Sequence, residues 1–350
     1  MSIDKHLYSC SSYYQVLITL MKACVYKQQI DIVLETHGVE TANNLAIDIK
    51  KYMSQYVNQV FVCPDSEKVD PYVNRDASFV IWQRRAVVNH MKKILGDMDL
   101  QTEYSKIFVY WDLGYVGTYL NIKKIHYTLI EDSLNSYQHI KENRLNYRYI
   151  FDNPIKFKIK DIFKIGVIPF GYSKYCDVIE VNDNKNIQIP LDKVIVSPRN
   201  SLFNNLNKED KNAIFNTFFE RVEKGFSSKQ NCVGNETQAK NDILILTEPF
   251  ALTKRLPDEK TQIRLYKDII NQYGGGKIYI KPHPRDNLPY NQIFEDIILL
   301  EKNIPMEVLN FSNEFHVATS ITVTSSAING ITCDEYKVYL GPEFLEKYKQ

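Results

Sequence analysis

At 350 residues, with 44% hydrophobic and 24% charged side chains, the chain is long enough for two buried cores and too apolar to be disordered. Its 43 Lys and Arg stand against 42 Asp and Glu, so no global positive field attracts nucleic acid and an anionic ligand has to be held by a local site. The six cysteines (Cys10, Cys24, Cys63, Cys176, Cys232 and Cys333) lack the close, patterned spacing of a zinc site or a disulfide scaffold, and read as reduced thiols in buried cores.

The first residues carry Asp4, Lys5 and His6 and lead into a polar Ser-Ser-Tyr-Tyr stretch, without the apolar core of a signal peptide. Apolar runs never reach the 18 residues of a membrane span, so a cytoplasmic location is expected. A short first strand precedes Ser12, which is placed to cap a helix over 16–24. IDIVLE at 30–35 reads as a buried strand, 39–53 as a helix, and VNQVFVC at 57–63 as a strand. A long helix is expected over 78–95, with strands at 106–110 and 125–130. Short apolar runs alternating with helices predict a parallel sheet with crossover helices.

Between 146 and 205 the pattern changes. Pro154, Pro169, Pro190 and Pro198 punctuate it, IKFKIK at 155–160 sets three lysines on one face, and 176–181 offers one more strand. The lysine stripe reads as a protected strand edge, with contact to an anionic acceptor or the inner face of the plasma membrane left open. A helix over 208–222 and a polar stretch over 227–240 lead to a second series: strands at 242–247, 277–281, 306–309 and 319–324, a helix at 261–273, and a helix from about Ser326. Gly274-Gly275-Gly276 follows a helix and precedes a strand, the reverse of a phosphate loop, and reads as a cap and turn. Two such series predict two Rossmann-like domains facing across a cleft, residues 1–198 and 199–350, with ligands at the C-terminal ends of the strands.

Four segments at those strand ends carry the candidate chemistry. In KIYIKPHPRD, residues 277–286, Pro282 and Pro284 bracket His283 and stiffen its backbone, with Lys281 and Arg285 two residues to either side. That presentation suits an anion. TVTSSA at 322–327 delivers Ser325 and Ser326 to a predicted helix start, where hydroxyls and free N–H groups suit a phosphate, or serve as an ordinary cap. LIEDSLNSY at 129–137 ends a strand in Glu131 and Asp132, either of which can accept a proton from a sugar hydroxyl, or simply be solvated. The opening SSYYQ at 11–15 places Ser12 and Gln15 at a helix start.

KPHP, followed by Met306-Glu307-Val308 and then Ser325-Ser326, resembles the bacterial sialyltransferases. The family of lipooligosaccharide sialyltransferases (glycosyltransferase family 52-like) is the nearest, and the bacterial polysialyltransferases are similar. LTEPFA at 246–251 and the opening SSYYQ fit the same family, so the resemblance runs from residue 8 to 330. It implies a GT-B type fold and metal-independent, inverting transfer of sialic acid from CMP-sialic acid to a sugar hydroxyl, such as a galactoside of a cell-surface glycan in capsule or lipooligosaccharide synthesis. It further implies Lys281 near the cytosine, Glu307 on the ribose hydroxyls, a cationic His283 with Ser325 and Ser326 on the phosphate, and Glu131 or Asp132 as base. Pro282, Pro284, Ser12 and Gln15 join the donor-binding set. The family's acidic motif carries Gly where this chain has Ser133, which leaves Asp258 and Glu259 as alternative bases. Asp97-Met98-Asp99 trails a helix rather than a strand, so no metal or other cofactor is expected. A UDP-hexose donor on the same fold, phosphotransfer from a CDP-alcohol, and a glycan-binding protein without catalysis are the rival readings, and a homodimer is left open.

Overall fold

The computed structural model describes residues 4–36, 38–65, 81–132, 170–185, 187, 191–226, 241–312, 315–332 and 334–349. The lysine stripe at 155–160, the stretch at 227–240, Ser133, Cys232 and Cys333 lie outside them. The chain divides into two compact units, Met1–Thr217 and Phe218–Gln350.

The first unit is built on seven parallel strands: β1 (Lys5–Cys10), β2 (Gln29–Thr36), β3 (Val57–Pro64), β4 (Lys106–Val109), β5 (Tyr127–Ile130), β6 (Cys176–Val181) and β7 (Val194–Val196), in the order β3-β2-β1-β4-β5-β6-β7. Leu7 and Tyr8, on opposite faces of β1, are both buried, as expected of a central strand covered on both sides. Helix α1 (Tyr13–Tyr26) starts where Ser12 leaves the extended strand and its hydroxyl accepts the Gln15 amide at 3.2 Å. Every residue from Val16 to Cys24 is buried, so this helix lies inside the core. Two further helices are α2 (Val39–Tyr52) and α3 (Ile81–Leu95). After the short α4 (Leu100–Glu103) comes α5 (Tyr115–Lys123), which the sequence pattern did not reveal.

Lys22 is the charged exception within α1. Its ammonium reaches the Glu180 carboxylate, which Arg199 also approaches at 3.4 Å; all three side chains are buried. Arg199 donates onward to the Glu131 carbonyl at 3.1 Å, and its own backbone N–H donates to Asn182 at 2.8 Å. These partners hold α6 (Arg199–Asn205) in the first unit. Helix α6 thus belongs to the first unit, which runs to Thr217, and Asp210 ties the next helix to it through Lys27 at 3.2 Å and Tyr56 at 3.0 Å. Helix α7 (Lys208–Phe226) spans the division.

The second unit holds five parallel strands: β8 (Ile243–Leu246), β9 (Ile278–Lys281), β10 (Ile297–Leu299), β11 (Val317–Thr322) and β12 (Asp334–Tyr339), ordered β10-β9-β8-β11-β12. Helices α8 (Glu259–Tyr273), α9 (Tyr290–Ile293) and α10 (Pro342–Glu346) accompany them, and Tyr266, Tyr290 and Phe250 are among the core's largest side chains. Both sheets are doubly wound. The strand order reverses between β1 and β4 in the first and between β8 and β11 in the second, and such reversals are where α/β sheets bind ligands.

Two expected elements differ. Residues 306–309, read as a strand, belong to a 3₁₀ turn over Met306–Phe311: Pro305 opens it, and Met306, Val308, Leu309 and Phe311 bury on its inner side. The helix expected from Ser326 is also a 3₁₀ turn, Ser326–Gly330, too short to carry a sizeable dipole. The glycine run does close α8, but Gly274 caps it at φ −69° without entering the left-handed region. A Cβ would meet the Ile270 carbonyl oxygen at 2.6 Å at Gly274 and Asp242 Oδ1 at 2.5 Å at Gly276, so both positions need glycine. The four cysteines among the described residues are buried free thiols whose burial raises their proton affinity. Among the described residues no helix is long and apolar enough to cross a membrane.

Candidate active site

In the first unit, β5 delivers Glu131 and Asp132 to the C-terminal edge of the sheet. Glu131 is 2% exposed and accepts the Asn182 amide at 2.8 Å. Asp132 is half-buried and accepts a hydrogen bond from the side-chain amide of Gln15. The oxygen of the same Gln15 side chain accepts from the Ser11 N–H at 2.5 Å and the Ser11 hydroxyl at 3.2 Å. One side-chain amide thus joins Ser11, at the start of α1, to Asp132, just past β5, and brings the two ends of the chain segment 11–132 into one cluster. Asp258 and Glu259 are exposed on the other unit. Asp258 caps α8 by accepting the Thr261 N–H at 2.7 Å, which holds its carboxyl below the usual range and weakens it as a base.

Sequence reasoning passed over Glu35. It ends β2, accepts from the Ser9 hydroxyl and from the Tyr115 N–H at 2.6 Å, and so caps α5 in place of Gly114, which has no side chain to do so. Burial raises its carboxyl. Its partner lies 80 residues away, so nothing local could have announced it.

In the second unit the central strand β8 runs between β9 and β11, and this order sets the KPHP and TVTSS segments on either side of it. Lys281, the last residue of β9, is 6% exposed and donates to the Lys302 carbonyl at 2.7 Å and the Pro282 carbonyl at 3.2 Å. Burial lowers it from its ordinary value near 10.5 to about 8, against the pull of Glu301 and Glu307. The Glu307 carboxyl is raised by burial and faces Lys281 from the 3₁₀ turn at 306–311. It also lies against Gly330, where a Cβ would come within 3.0 Å of Oε1. Asn310 fastens the two 3₁₀ turns together, donating to the Gly330 carbonyl at 2.7 Å and accepting the Thr332 N–H at 2.8 Å.

His283 is half-buried, Pro282 buried and Pro284 exposed. The Arg285 N–H donates to His283 Nδ1 at 3.1 Å, which fixes Nδ1 as the acceptor and places the proton of the neutral ring on Nε2. Burial, then the Arg285 charge, lowers the proton affinity of the ring; Glu248 and Asp286 act in the opposite direction. Desolvation and Arg285 thus work against the cationic form, and the Nδ1 contact leaves Nε2 as the ring's donor. Asp286 anchors the turn. It accepts from the Thr247 hydroxyl at 2.8 Å, Gln262 at 3.2 Å and the Tyr290 hydroxyl at 2.7 Å, and its own N–H donates to the His283 carbonyl at 2.8 Å.

Ser325 caps the second 3₁₀ turn through the Ala327 N–H at 3.3 Å; the Ser326 side chain is outside what the structure describes. Glu248, which follows β8 by two residues, spans the reversal to β11 by accepting the Thr324 N–H at 2.7 Å and its hydroxyl at 2.6 Å. Neither Glu248 nor Asp286 was singled out from sequence, although each lies within a quoted segment, LTEPFA and KIYIKPHPRD. Among the described residues no three His, Cys, Asp or Glu side chains are placed to hold a metal. Asp97 pairs with Lys92 at 3.5 Å and Asp99 caps α4.

The burial of Lys281 sets a pH dependence. Between about pH 8 and 10.5 the unfolded chain holds a proton that the folded one lacks, so stability rises with pH across that window. Below pH 8 the full cost of burying the charge remains. The unfolding free energy of the wild type minus that of Lys281→Met should rise between pH 7.5 and 10 in urea titrations. A flat difference would show that Lys281 is not depressed.

Comparison with known proteins agrees with this layout. The fold is similar to an α/β-galactoside α-2,3-sialyltransferase from Photobacterium phosphoreum (TM-score 0.54, 12% identity, 96% of this chain and 91% of that one). It is also similar to a UDP-GlcNAc 2-epimerase from Neisseria meningitidis (TM-score 0.51, 10% identity, 93% of this chain and 78% of that one). At such identities the likeness is one of fold: two parallel α/β sheets of the GT-B type. An uncharacterised Haemophilus influenzae protein is 34% identical over 114 residues, a match that takes in 30% of this chain and 37% of that relative. The model of glycosyltransferase family 52 matches residues 80–340, a span that contains Glu131, Asp132, the KPHP segment, Glu307 and the Ser-Ser pair. On that match the chain belongs to glycosyltransferase family 52.

Proposed function

We propose that this glycosyltransferase is an inverting sialyltransferase that moves sialic acid from CMP-sialic acid to a sugar hydroxyl, a galactoside in our reading. The observation that carries the proposal is the convergence, on neighbouring strand ends of the second unit, of the His283 ring with Lys281 and Glu307 on one side of β8 and Thr324 and Ser325 on the other. A CMP leaving group needs charge stabilised on a single phosphate. The Nε2–H of His283 and the Ser325 hydroxyl supply hydrogen-bond donors for it without a metal, so that CMP leaves as the phosphate anion with its developing charge stabilised. Lys281 and Glu307 hold the nucleoside, with Pro282 and Pro284 keeping the turn stiff.

As the carbon–phosphate-oxygen bond breaks, the acceptor oxygen attacks the anomeric carbon and the transition state takes on oxocarbenium character. Asp132 accepts the proton of the acceptor hydroxyl. It is favoured over Glu131 because it is the more exposed of the two and Gln15 fixes its orientation. Attack opposite the leaving group converts the β-linked donor into an α-sialoside. We place the enzyme in the cytoplasm, in the assembly of a cell-surface glycan.

Incubation with CMP-sialic acid, with and without a galactoside, tests the reading. CMP release should rise with acceptor, and NMR should show an α-linked product. Consumption of UDP-glucose or a CDP-alcohol while CMP-sialic acid stays intact would remove the proposed donor.

A further inference from the structure

Arg255 lies between the quoted motifs and belongs to neither, yet the fold carries it to the strand-order reversal of the second sheet. After β8 the chain winds tightly: the Thr253 N–H donates to the Pro249 carbonyl at 2.9 Å and the Arg255 N–H returns to the Phe250 carbonyl at 2.8 Å. Lys254 completes the turn at φ +57°, a left-handed conformation that costs a non-glycine residue about 1 kcal/mol or more. The turn lays the guanidinium over the Phe250 ring, 4.9 Å from its centroid. Nη1 then donates to the Thr324 hydroxyl at 2.8 Å and stands 3.5 Å from the Glu248 carboxylate.

The side chain is fixed at three points and still 41% exposed. A guanidinium has five N–H donors in a rigid fork, and the contacts described use Nη1. A stacked, ion-paired Arg with an open edge is a pre-organised receptor for a planar or tetrahedral anion, since little rotamer freedom is left to lose on binding. Charge makes the same point. Glu248 puts a negative charge at the reversal beside Thr324, where an anion would otherwise be repelled, and Arg255 compensates it.

We propose that Arg255 binds an anionic group of the nucleotide donor, the phosphate or the sugar carboxylate, at the β8–β11 reversal, with Glu248 as the residue that positions it. The proposal rests on the reading of the second unit as the donor-binding unit. The test is calorimetric titration of the wild type, Arg255→Ala and Arg255→Lys with CMP, UDP and the inert donor analogue CMP-3-fluorosialic acid. Circular dichroism serves as the folding control. Arg255→Ala should weaken binding about 10- to 100-fold, as loss of a charge-assisted pair does, and Arg255→Lys should recover part of it, because it keeps the charge and loses the fork. Equal weakening of CMP and the analogue assigns the phosphate; weakening of the analogue alone assigns the carboxylate. If the wild type binds UDP and not CMP, the sialyl donor is wrong, and the same loss measured with UDP still supports Arg255. Affinities within twofold of wild type in Arg255→Ala overturn the role of Arg255 while leaving the donor reading intact. Binding of none of the three by the wild type overturns both.

Discussion

Replacing His283 by alanine is expected to lower kcat for acceptor-dependent CMP release by about 10²- to 10³-fold, the usual worth of one donor aimed at charge developing in the transition state. The Kd for CMP should move much less if, as proposed, Lys281 and Glu307 hold the nucleoside. The argument rests on the bond from the Arg285 N–H to Nδ1, which leaves Nε2 as the only N–H of the neutral imidazole. His283→Gln keeps a side-chain N–H donor but loses the rigid placement of the ring. It should retain more activity than the alanine variant and less than the wild type. A folded His283→Ala protein with kcat within fivefold of the wild type would sink the assignment, whatever the donor proves to be.

Asp286→Ala should destabilise the second unit by about 3–5 kcal/mol. The Thr247 hydroxyl, the Gln262 amide and the Tyr290 hydroxyl all lose one buried carboxylate acceptor, and each unsatisfied donor costs about 1–3 kcal/mol without strict additivity. Asp286→Asn keeps the shape and one acceptor oxygen and should cost less than half as much. The alanine variant keeps the backbone N–H that holds the His283 carbonyl but loses the carboxylate that anchors the turn presenting His283, so kcat should fall beyond the loss of folded protein. Urea unfolding beside single-turnover rates at a temperature where both proteins are folded checks the two effects separately. Equal stability of Asp286→Ala and the wild type would show that the anchor is not the carboxylate.

Much of this architecture is local and so legible in one dimension. The strands at 30–35, 242–247 and 277–281 are largely apolar runs, as a sheet covered on both faces requires, and with the one at 57–63 they lie within one or two residues of β2, β8, β9 and β3. Ser12 was read as a cap because its hydroxyl acts three residues away, within the same turn. Residues 306–309 and the stretch from Ser326 misled for a related reason: a short apolar run has too few residues for its period to distinguish strand, helix and 3₁₀ turn. Helix α5 was missed because Gly114, its N-cap, has no capping side chain and the cap comes from Glu35.

The sequence by itself determined the two α/β series, the family, and the segments whose chemistry suits a phosphate: a proline-bracketed histidine and a serine pair at strand ends. Those are properties of residues near one another in the chain. Only the tertiary structure decided which groups act on them. It tied Gln15 to Asp132 across 117 positions, Glu248 and Arg255 to Thr324 across 76 and 69, and Glu180 to Lys22 and Arg199. The physical reason is common to all of them. A buried or half-buried charge must find its partner wherever strand order brings one, and strand order is fixed by packing of the whole sheet rather than by any local run of residues.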